Sequence, residues 1–198
     1  MNGSPALYLA STSPRRRELL DAAGIDFSIV HVDVDEAPLD GESAEDMVLR
    51  LAVAKAEAVD VAGADLVLGA DTAVVIGGEA LGKPGDEADA LAMLEKLSGR
   101  AHEVLTGVAV RGPHGTTTAL SNTNVYFREI SRDEALAYWQ SGEPQDKAGA
   151  YAIQGRAGAF VERIEGSYSG VVGLPVFETV ALLNKAGFDV TKKQMNDE

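Results

Sequence analysis

The chain has 198 residues, 45% hydrophobic and 24% charged, and it contains no cysteine, which excludes disulfides, thiolate metal sites and cysteine nucleophiles. Its 31 acidic residues outnumber 17 basic ones, and the net charge of −14 disfavours binding to nucleic acids or anionic membranes. The N-terminus has no signal-peptide pattern and no apolar run reaches about 18 residues, so we expect a cytoplasmic enzyme or binding protein.

We expect one domain over residues 1–198, with an ordered core at about 7–188 and a frayed tail at 191–198. The first predicted elements are a strand at 7–9 and a helix that begins at Pro14 behind the N-cap residue Ser13.

Three arginines at 15–17 occupy the positive end of this helix, where each cation costs roughly 0.3–1 kcal/mol. The run is either a solvated helix face or an anion-binding site. In the second case the free N–H groups of the helix and the hydroxyls of Ser11 and Ser13 would add donors, and the guanidinium groups would bind phosphate oxygens.

The next predicted elements are a strand at 27–32, an acidic loop at 33–42 and a long helix capped by Ser43, with Asp46 completing a weak capping box. The spacing of apolar residues predicts a buried helix face at Met47, Leu51, Ala54 and Ala58. A buried strand at 65–78 follows and ends in a Gly-Gly turn.

The remaining predicted elements are, in order, a helix at 86–97, a hairpin around 113–115, a helix capped by Ser131 and Glu134, an irregular segment at 143–158, a strand at 159–166, a loop at 167–175 and a last helix that ends at 186–187. This alternation of strands and helices predicts an α/β fold. Irregular loops beyond about 12 residues are uncommon unless functional, so we expect the segment at 143–158 to be a ligand lid.

Asp71 interrupts the apolar run LVLGADTAVVI and is the best catalytic candidate. Burying its carboxylate costs several kcal/mol unless a metal, a cation or a raised pKa compensates. The alternative is a strand-end residue that is hydrogen-bonded to a turn. A second acidic cluster at 33–36 could hold Mg²⁺ or could be a solvated turn.

Two other functional patterns are rejected. The segment at 77–84 matches a phosphate-binding P-loop except at Pro84, where a Ser or Thr hydroxyl is required, so Lys83 is either a separate phosphate ligand or a solvated lysine. The nucleophile elbow G-x-S-x-G does not occur. No metal-ligand spacing links the histidines, which we expect to be structural or exposed: His31, His102 and His114.

Several long motifs follow one another along the chain. They are ASTSPRRRELL at 10–20, Asp35-Glu36, AVAKAEA at 52–58, LGADTAVV at 68–75, LGKP at 81–84, SGEPQDKAGAYAIQG at 141–155 and GSYSGVVGLP at 166–175. In these motifs the chain resembles the Maf family of nucleoside triphosphate pyrophosphatases over about residues 7–188. The resemblance implies a fold similar to inosine triphosphate pyrophosphatase, with a mixed twisted sheet flanked by helices and two lobes with a cleft. Ala73 departs from the larger aliphatic residues usual in the family.

The resemblance implies hydrolysis between the α and β phosphates, which gives a nucleoside monophosphate and pyrophosphate in the presence of Mg²⁺ or Mn²⁺. The segment at 141–155 is similar to that of the subgroup acting on dTTP and UTP. In the family pattern Asp71 is the proton acceptor, whereas Arg15, Thr72 and Gln154 set the choice of base. A glutamine amide can pair with the N3–H and a carbonyl of uracil or thymine, and it mismatches cytosine.

The remaining site residues have proposed roles toward phosphates and metal. The groups expected to bind phosphates are Ser11, Ser13, Arg16, Lys55, Lys83 and Lys147, with Lys55 and Lys83 also counted as catalytic. Glu36 and Asp71 are expected to hold the metal or orient water, and Arg17 is expected to be solvated.

The resemblance also implies a homodimer. Two alternative functions stay open. One is a pyrophosphatase for other or modified nucleotides, and the other is a nucleotide-binding regulator of cell division that acts on septum formation.

Overall fold

A computed structural model describes residues 5–61, 63 and 65–190 of the chain. The predicted frayed tail at 191–198 therefore lies outside the described residues. Within the described part, no helix is both long enough and apolar enough to cross a lipid bilayer.

The strands of the described chain are β1 (Leu7–Ala10), β2 (Ser28–Val30), β3 (Leu66–Ile76), β4 (Glu79–Leu81), β5 (Ala101–Gly112), β6 (Gly115–Phe127) and β7 (Val161–Glu165). Its α-helices are α1 (Pro14–Ala22), α2 (Ala44–Glu57), α3 (Glu87–Leu97), α4 (Arg132–Gln140), α5 (Tyr168–Val172) and α6 (Val176–Lys185). Short 3₁₀ helices occupy Glu143–Asp146, Ala148–Ala150 and Arg156–Phe160.

The strands form a seven-stranded mixed sheet in the order β2-β1-β3-β5-β6-β7, with β4 paired to β3. Strand β1 runs parallel to both β2 and β3, so that Tyr8 lies opposite Ser28 on one side and Val67 on the other. The pairs β3–β4 and β6–β7 are antiparallel. The predicted α/β class with a mixed sheet and flanking helices is confirmed.

The chain divides into two compact units. The first contains the described residues of Met1–Asp71, Thr106–Leu120 and Gly173–Glu198, and the second contains those of Thr72–Leu105 and Ser121–Val172. The expectation of one domain over 1–198 stays a prediction.

The core of the first unit lies on both faces of β1 and β3. One cluster packs the leucines of these strands with those of α1 and α6: Leu7, Leu9, Leu20, Leu66, Leu68, Leu182 and Leu183. Another cluster places Ala52 and Ala56 of α2 against Ala10 and Val67. Alternate strand residues point to opposite faces, and both faces of these strands are covered.

Helix α2 approaches the sheet at two glycines. A Cβ atom added to Gly69 would lie 2.2 Å from the carbonyl oxygen of Ala52, and one added to Gly107 would lie 2.5 Å from that of Val48. This close approach selects the buried face of the helix. The predicted face was wrong in part: Leu51 is buried, but the buried face also contains Val48, Ala52, Lys55 and Ala56, whereas Ala58 is exposed.

The second unit contains an edge-to-face aromatic cluster. Phe127 packs against the rings of His102, Tyr151 and Phe160, with centroid distances of 4.9, 4.9 and 6.2 Å. Tyr138 of α4 meets Phe160 at 5.4 Å. Such pairs add about 0.5–1.5 kcal/mol beyond the burial of their area. The cluster packs Tyr151, in the middle of the segment at 143–158, against β5 and β6, and it packs Phe160, just after the segment, against β6 and α4.

Local signals located most of the elements. The predicted caps are confirmed at Ser43 and Ser131, whose side chains accept hydrogen bonds from the backbone N–H groups of Asp46 and Glu134. Ser13 occupies the N-cap position of α1, but its side chain does not cap the helix. The sequence missed α5, because its five residues lie in a segment predicted to be a loop.

Candidate functional site

The charged groups of the first unit begin at the junction of β1 and α1. Ser11 is buried just after β1, and its hydroxyl oxygen accepts a hydrogen bond from Arg16 Nη1 at 3.1 Å. Arg16 Nε donates to the carbonyl oxygen of Gly173 at 2.8 Å. The backbone N–H of Ser13 also donates to Ser11 Oγ, at 3.2 Å. These contacts fix the Arg16 guanidinium against the turn that precedes α1.

Other charges of this unit act on the same guanidinium. Burial lowers the pKa of Arg16, the negative charge of Asp71 raises it, the neighbouring Arg15 lowers it and Glu36 raises it. The structure therefore places two arginines and two carboxylates within electrostatic range of one another. A cation held in a desolvated position interacts more strongly with an anion than one in water.

Lys55 connects the two carboxylates. Its Nζ lies 2.7 Å from Asp71 Oδ1 and 2.6 Å from Glu36 Oε1. The side chains of Lys55 and Asp71 are only 10% and 14% exposed, whereas that of Glu36 is 55% exposed. A buried carboxylate was expected to need a metal, a cation or a raised pKa, and the structure supplies the cation.

The carboxylates are suited to a hard metal ion. Mg²⁺ is usually bound by one or two protein carboxylates together with substrate phosphates and water. Glu36 and Asp71, which share one ammonium partner, provide two such carboxylates. Among residues 5–61, 63 and 65–190, no group of three or more acidic or histidine side chains forms a metal cage. The donor set fits a metal that is completed by its substrate.

The other predicted site residues belong to the second unit. Lys83 is exposed just after β4, and Gln154 is exposed in a turn at 153–155. The backbone N–H of Gly149 donates to the carbonyl oxygen of Gly82 at 3.0 Å, so the segment at 143–158 is attached next to Lys83. Lys147 forms an ion pair with its neighbour Asp146.

Thr72 directly follows Asp71 within β3 and is half-buried. The first unit thus contains Ser11, Ser13, Arg15, Arg16, Glu36, Lys55 and Asp71. The second contains Thr72, Lys83, Lys147 and Gln154.

Arg17 differs from its prediction. It is half-buried rather than solvated, and its Nε is enclosed without a hydrogen-bond partner among the described residues. It lines a surface pocket of about 540 Å³ together with Glu18, Asp21 and Asp26. Arg16 does not line this pocket.

Sequence reasoning missed two side chains of the second unit. Tyr138 and Glu143 are hydrogen-bonded to each other and to the backbone on both sides of Gln154. Glu143 stands inside the motif SGEPQDKAGAYAIQG, which was the available signal. The carbonyl of Gly173 was also missed, because a backbone acceptor leaves no side-chain signal.

Comparison with known proteins identifies close relatives. A family model described as "Maf-like protein" matches residues 6–186. A dTTP/UTP pyrophosphatase of Hahella chejuensis is 54% identical over 192 residues, covering 95% of this chain and 96% of that protein. A dTTP/UTP pyrophosphatase of Anaeromyxobacter dehalogenans strain 2CP-C is 52% identical over 195 residues, covering 96% of this chain and 99% of that protein.

Solved structures show more distant similarity. The Staphylococcus aureus Ham1 protein aligns with a TM-score of 0.44 and 19% identity, covering 64% of this chain and 72% of that one. A nucleoside-triphosphatase / dITP/XTP pyrophosphatase from Mycobacterium abscessus aligns with a TM-score of 0.38 and 17% identity, covering 62% and 72%.

Proposed function

The chain belongs to the Maf-like protein family, and from this we propose that it is a nucleoside triphosphate pyrophosphatase that hydrolyses dTTP and UTP to the monophosphate and pyrophosphate. The observation that carries the proposal is the contact of one buried lysine with two carboxylates: Lys55 lies 2.7 Å from Asp71 and 2.6 Å from Glu36. Lysine and aspartate are rarely buried unless paired, and a buried ion pair adds little to stability, so such a pair is a candidate for a functional role.

The cations supply the binding of the triphosphate. Arg16 offers a guanidinium that Ser11 and Gly173 hold in place, and Lys55 offers a buried ammonium. We assign further phosphate contacts to Lys83 and Lys147. With a chain of net charge −14, a polyanion needs such a local concentration of positive charge to bind at all. The cations at the start of α1 then gain an anionic partner in place of the repulsion at the helix end.

Asp71 accepts the proton in the proposed hydrolysis. A water oxygen attacks the α phosphorus, the bond between this phosphorus and the bridging oxygen breaks, and pyrophosphate leaves with the bond electrons. Lys55 holds Oδ1 of Asp71, and we assign the proton of the attacking water to Oδ2. General-base catalysis of this kind contributes about 10²–10⁴-fold in rate.

Glu36 and Asp71 are the residues that would hold a divalent cation, Mg²⁺ or Mn²⁺. When bound, such an ion supplies charge neutralisation at the phosphate oxygens. The Lys55 ammonium contacts one oxygen of each carboxylate and keeps the two carboxylates close to each other.

Base choice is assigned to Arg15, Thr72 and Gln154. The Gln154 amide presents one donor and one acceptor, which match a carbonyl and the N3–H of uracil or thymine. Cytosine has no N3–H, so its binding would leave polar groups without partners, and such mismatches discriminate strongly between substrates.

The test is a panel of dTTP, UTP, CTP and modified nucleotides incubated with the purified chain, with and without Mg²⁺ or Mn²⁺. We expect metal-dependent release of pyrophosphate and monophosphate from dTTP and UTP. Release of diphosphate and inorganic phosphate would contradict the proposed bond cleavage. Tight binding of dTTP without turnover would instead favour the nucleotide-binding regulator of cell division.

The proposal extends to a cytoplasmic location, which we expect from the sequence, and to a homodimer, which the family resemblance implies. Light scattering of the purified chain, with and without dTTP, measures the mass of the particle. A mass equal to one chain at all concentrations would contradict the dimer and leave the proposed hydrolysis unaffected.

A further inference from the structure

The turn that carries Gln154 is attached to the second unit on both sides. On one side the backbone N–H of Ala152 donates to Tyr138 Oη at 3.1 Å. On the other side the backbone N–H of Arg156 donates to Glu143 Oε2 at 3.1 Å. Each bond anchors a position two residues from Gln154, so the direction of the turn depends on both.

The two anchoring side chains also bind each other. Tyr138 Oη donates to Glu143 Oε1 at 2.8 Å. Tyr138 is only 4% exposed, and its burial, followed by its hydrogen bond to Glu143, raises the pKa of its hydroxyl. The hydroxyl therefore stays protonated and uses its proton toward Glu143 while its oxygen accepts from Ala152. We call these two residues the Tyr138–Glu143 pair.

Close packing holds this pair against the turn. A Cβ atom added at Gly155 would lie 2.2 Å from Glu143 Oε1, so a larger residue here would displace the carboxylate from its present position. The backbone N–H of Gly155 in turn donates to the carbonyl oxygen of Ala152 at 3.0 Å, which closes the turn around Gln154. The side chain of Gln154 is thus exposed, while the backbone on both sides of it is held by the Tyr138–Glu143 pair.

We propose that Tyr138 and Glu143 are positioning residues that set the direction of the Gln154 amide and, through it, the selectivity between nucleobases. The inference rests on the proposed role of Gln154 in base recognition. A hydrogen-bonding amide discriminates between bases only if its donor and acceptor are correctly aimed, and a misplacement of about 1 Å can cost about 100-fold in rate.

The chain offers a matched control for this pair. Tyr126 Oη donates to Glu165 Oε2 at 2.8 Å on strands β6 and β7 of the same unit. This pair has the same two side chains at the same separation, but its members are bound to neither side of the Gln154 turn. A general effect of removing a tyrosine–glutamate hydrogen bond would appear at both pairs.

The experiment compares kcat/KM for dTTP and CTP in Tyr138→Phe, Glu143→Ala, Glu143→Gln and Gln154→Ala, with Tyr126→Phe and Glu165→Ala as controls. The ratio of kcat/KM for dTTP to kcat/KM for CTP does not depend on the fraction of folded enzyme. We expect this dTTP/CTP ratio to fall about 10-fold to 100-fold in Tyr138→Phe and Glu143→Ala. We expect KM for dTTP to rise more than kcat falls, and the controls to keep the wild-type ratio.

Rescue by a similar side chain separates positioning from loss of the segment. Glu143→Gln keeps an oxygen that can accept from the Arg156 N–H and keeps the volume that Gly155 accommodates, so its ratio should lie closer to wild type than that of Glu143→Ala. Combining Tyr138→Phe with Gln154→Ala should lower the ratio no further than Gln154→Ala alone, since both changes act on one amide.

A lowered ratio in Gln154→Ala together with a wild-type ratio in Tyr138→Phe and Glu143→Ala would overturn the inference and leave the role of Gln154 standing. Equal losses in Tyr126→Phe and Tyr138→Phe would also overturn it. A wild-type ratio in Gln154→Ala would instead contradict the role of Gln154 on which the inference depends.

Discussion

Asp71 is the residue at which the proposed chemistry can be tested most directly. Asp71→Asn keeps the shape of the side chain and removes the proton acceptor. We expect pyrophosphate release from dTTP to fall about 10²–10⁴-fold while the fold is retained. The measurement is single-turnover release of pyrophosphate, with circular dichroism to show that the fold is intact.

Asp65→Asn is the matched control for this change. Asp65 precedes the same strand, and its Oδ1 accepts a hydrogen bond from the backbone N–H of Ala6 at 3.0 Å, a role that an asparagine oxygen can retain. We expect its turnover to stay close to wild type. Wild-type release of pyrophosphate by Asp71→Asn would refute the assignment of the proton acceptor.

Single residues also show what the sequence could reveal. The cost of burying a carboxylate in LVLGADTAVVI identified Asp71 as a group that needs compensation, but its partner Lys55 stands 16 positions earlier on another element. Tyr138 and Glu143 were missed for the same reason, because their backbone partners stand 14 and 13 positions away in the sequence. Their hydrogen bonds to the backbone at 152 and 156 depend on the packing of α4, which local patterns do not describe.

At the scale of elements, helix α2 positions Lys55 by packing its backbone directly on the sheet. Gly69→Ala would place a methyl group 2.2 Å from the Ala52 carbonyl oxygen and 2.8 Å from the Ala56 nitrogen. We expect this overpacking to lower the free energy of unfolding by about 1–3 kcal/mol or more. Urea denaturation followed by circular dichroism measures the change.

Gly82→Ala is the corresponding control, because an added Cβ there meets no described atom within 4 Å and the glycine does not adopt a positive φ. We expect its unfolding midpoint to be close to that of the wild type. Equal stability of the Gly69→Ala and Gly82→Ala variants would show that the helix can move away from the sheet without cost.

Capping residues predicted the element boundaries well, whereas the buried face of α2 was partly mispredicted. Ser43, Ser131 and the glycines after β3 are local signals whose effect depends on the chain within a few residues. The buried face depends on where glycines of β3 and β5 let the helix approach. Lys55 lies on this face because Asp71 compensates its charge, and apolar periodicity cannot indicate a lysine.

At the scale of the whole molecule, stability should depend on the protonation of one buried histidine. Burial lowers the pKa of His102 from 6.5 to about 4. Its Nε2 lies 2.8 Å from the hydroxyl of Tyr151 within the aromatic cluster. Between these two pKa values the unfolded chain binds a proton that the folded chain does not.

The free energy of unfolding therefore decreases as the pH falls from 6.5 towards 4, and His102 contributes up to about 3 kcal/mol to this decrease. We expect His102→Gln to reduce the loss of stability over that range. Denaturation midpoints measured across the range test the expectation, with His114→Gln in an exposed turn as control. An identical pH dependence in wild type and His102→Gln would contradict it.

The order of the chain has a consequence for its synthesis. Arg16 lies in the first helix, but the carbonyl oxygen that orients its guanidinium belongs to Gly173. A ribosome that has released α1, α2 and β3 has delivered Lys55 and Asp71, yet this hydrogen bond cannot form until Gly173 has also emerged. The complete arrangement of Arg16 is thus a property of the nearly finished polypeptide, and truncation before Gly173 removes it even though every predicted site residue is still present.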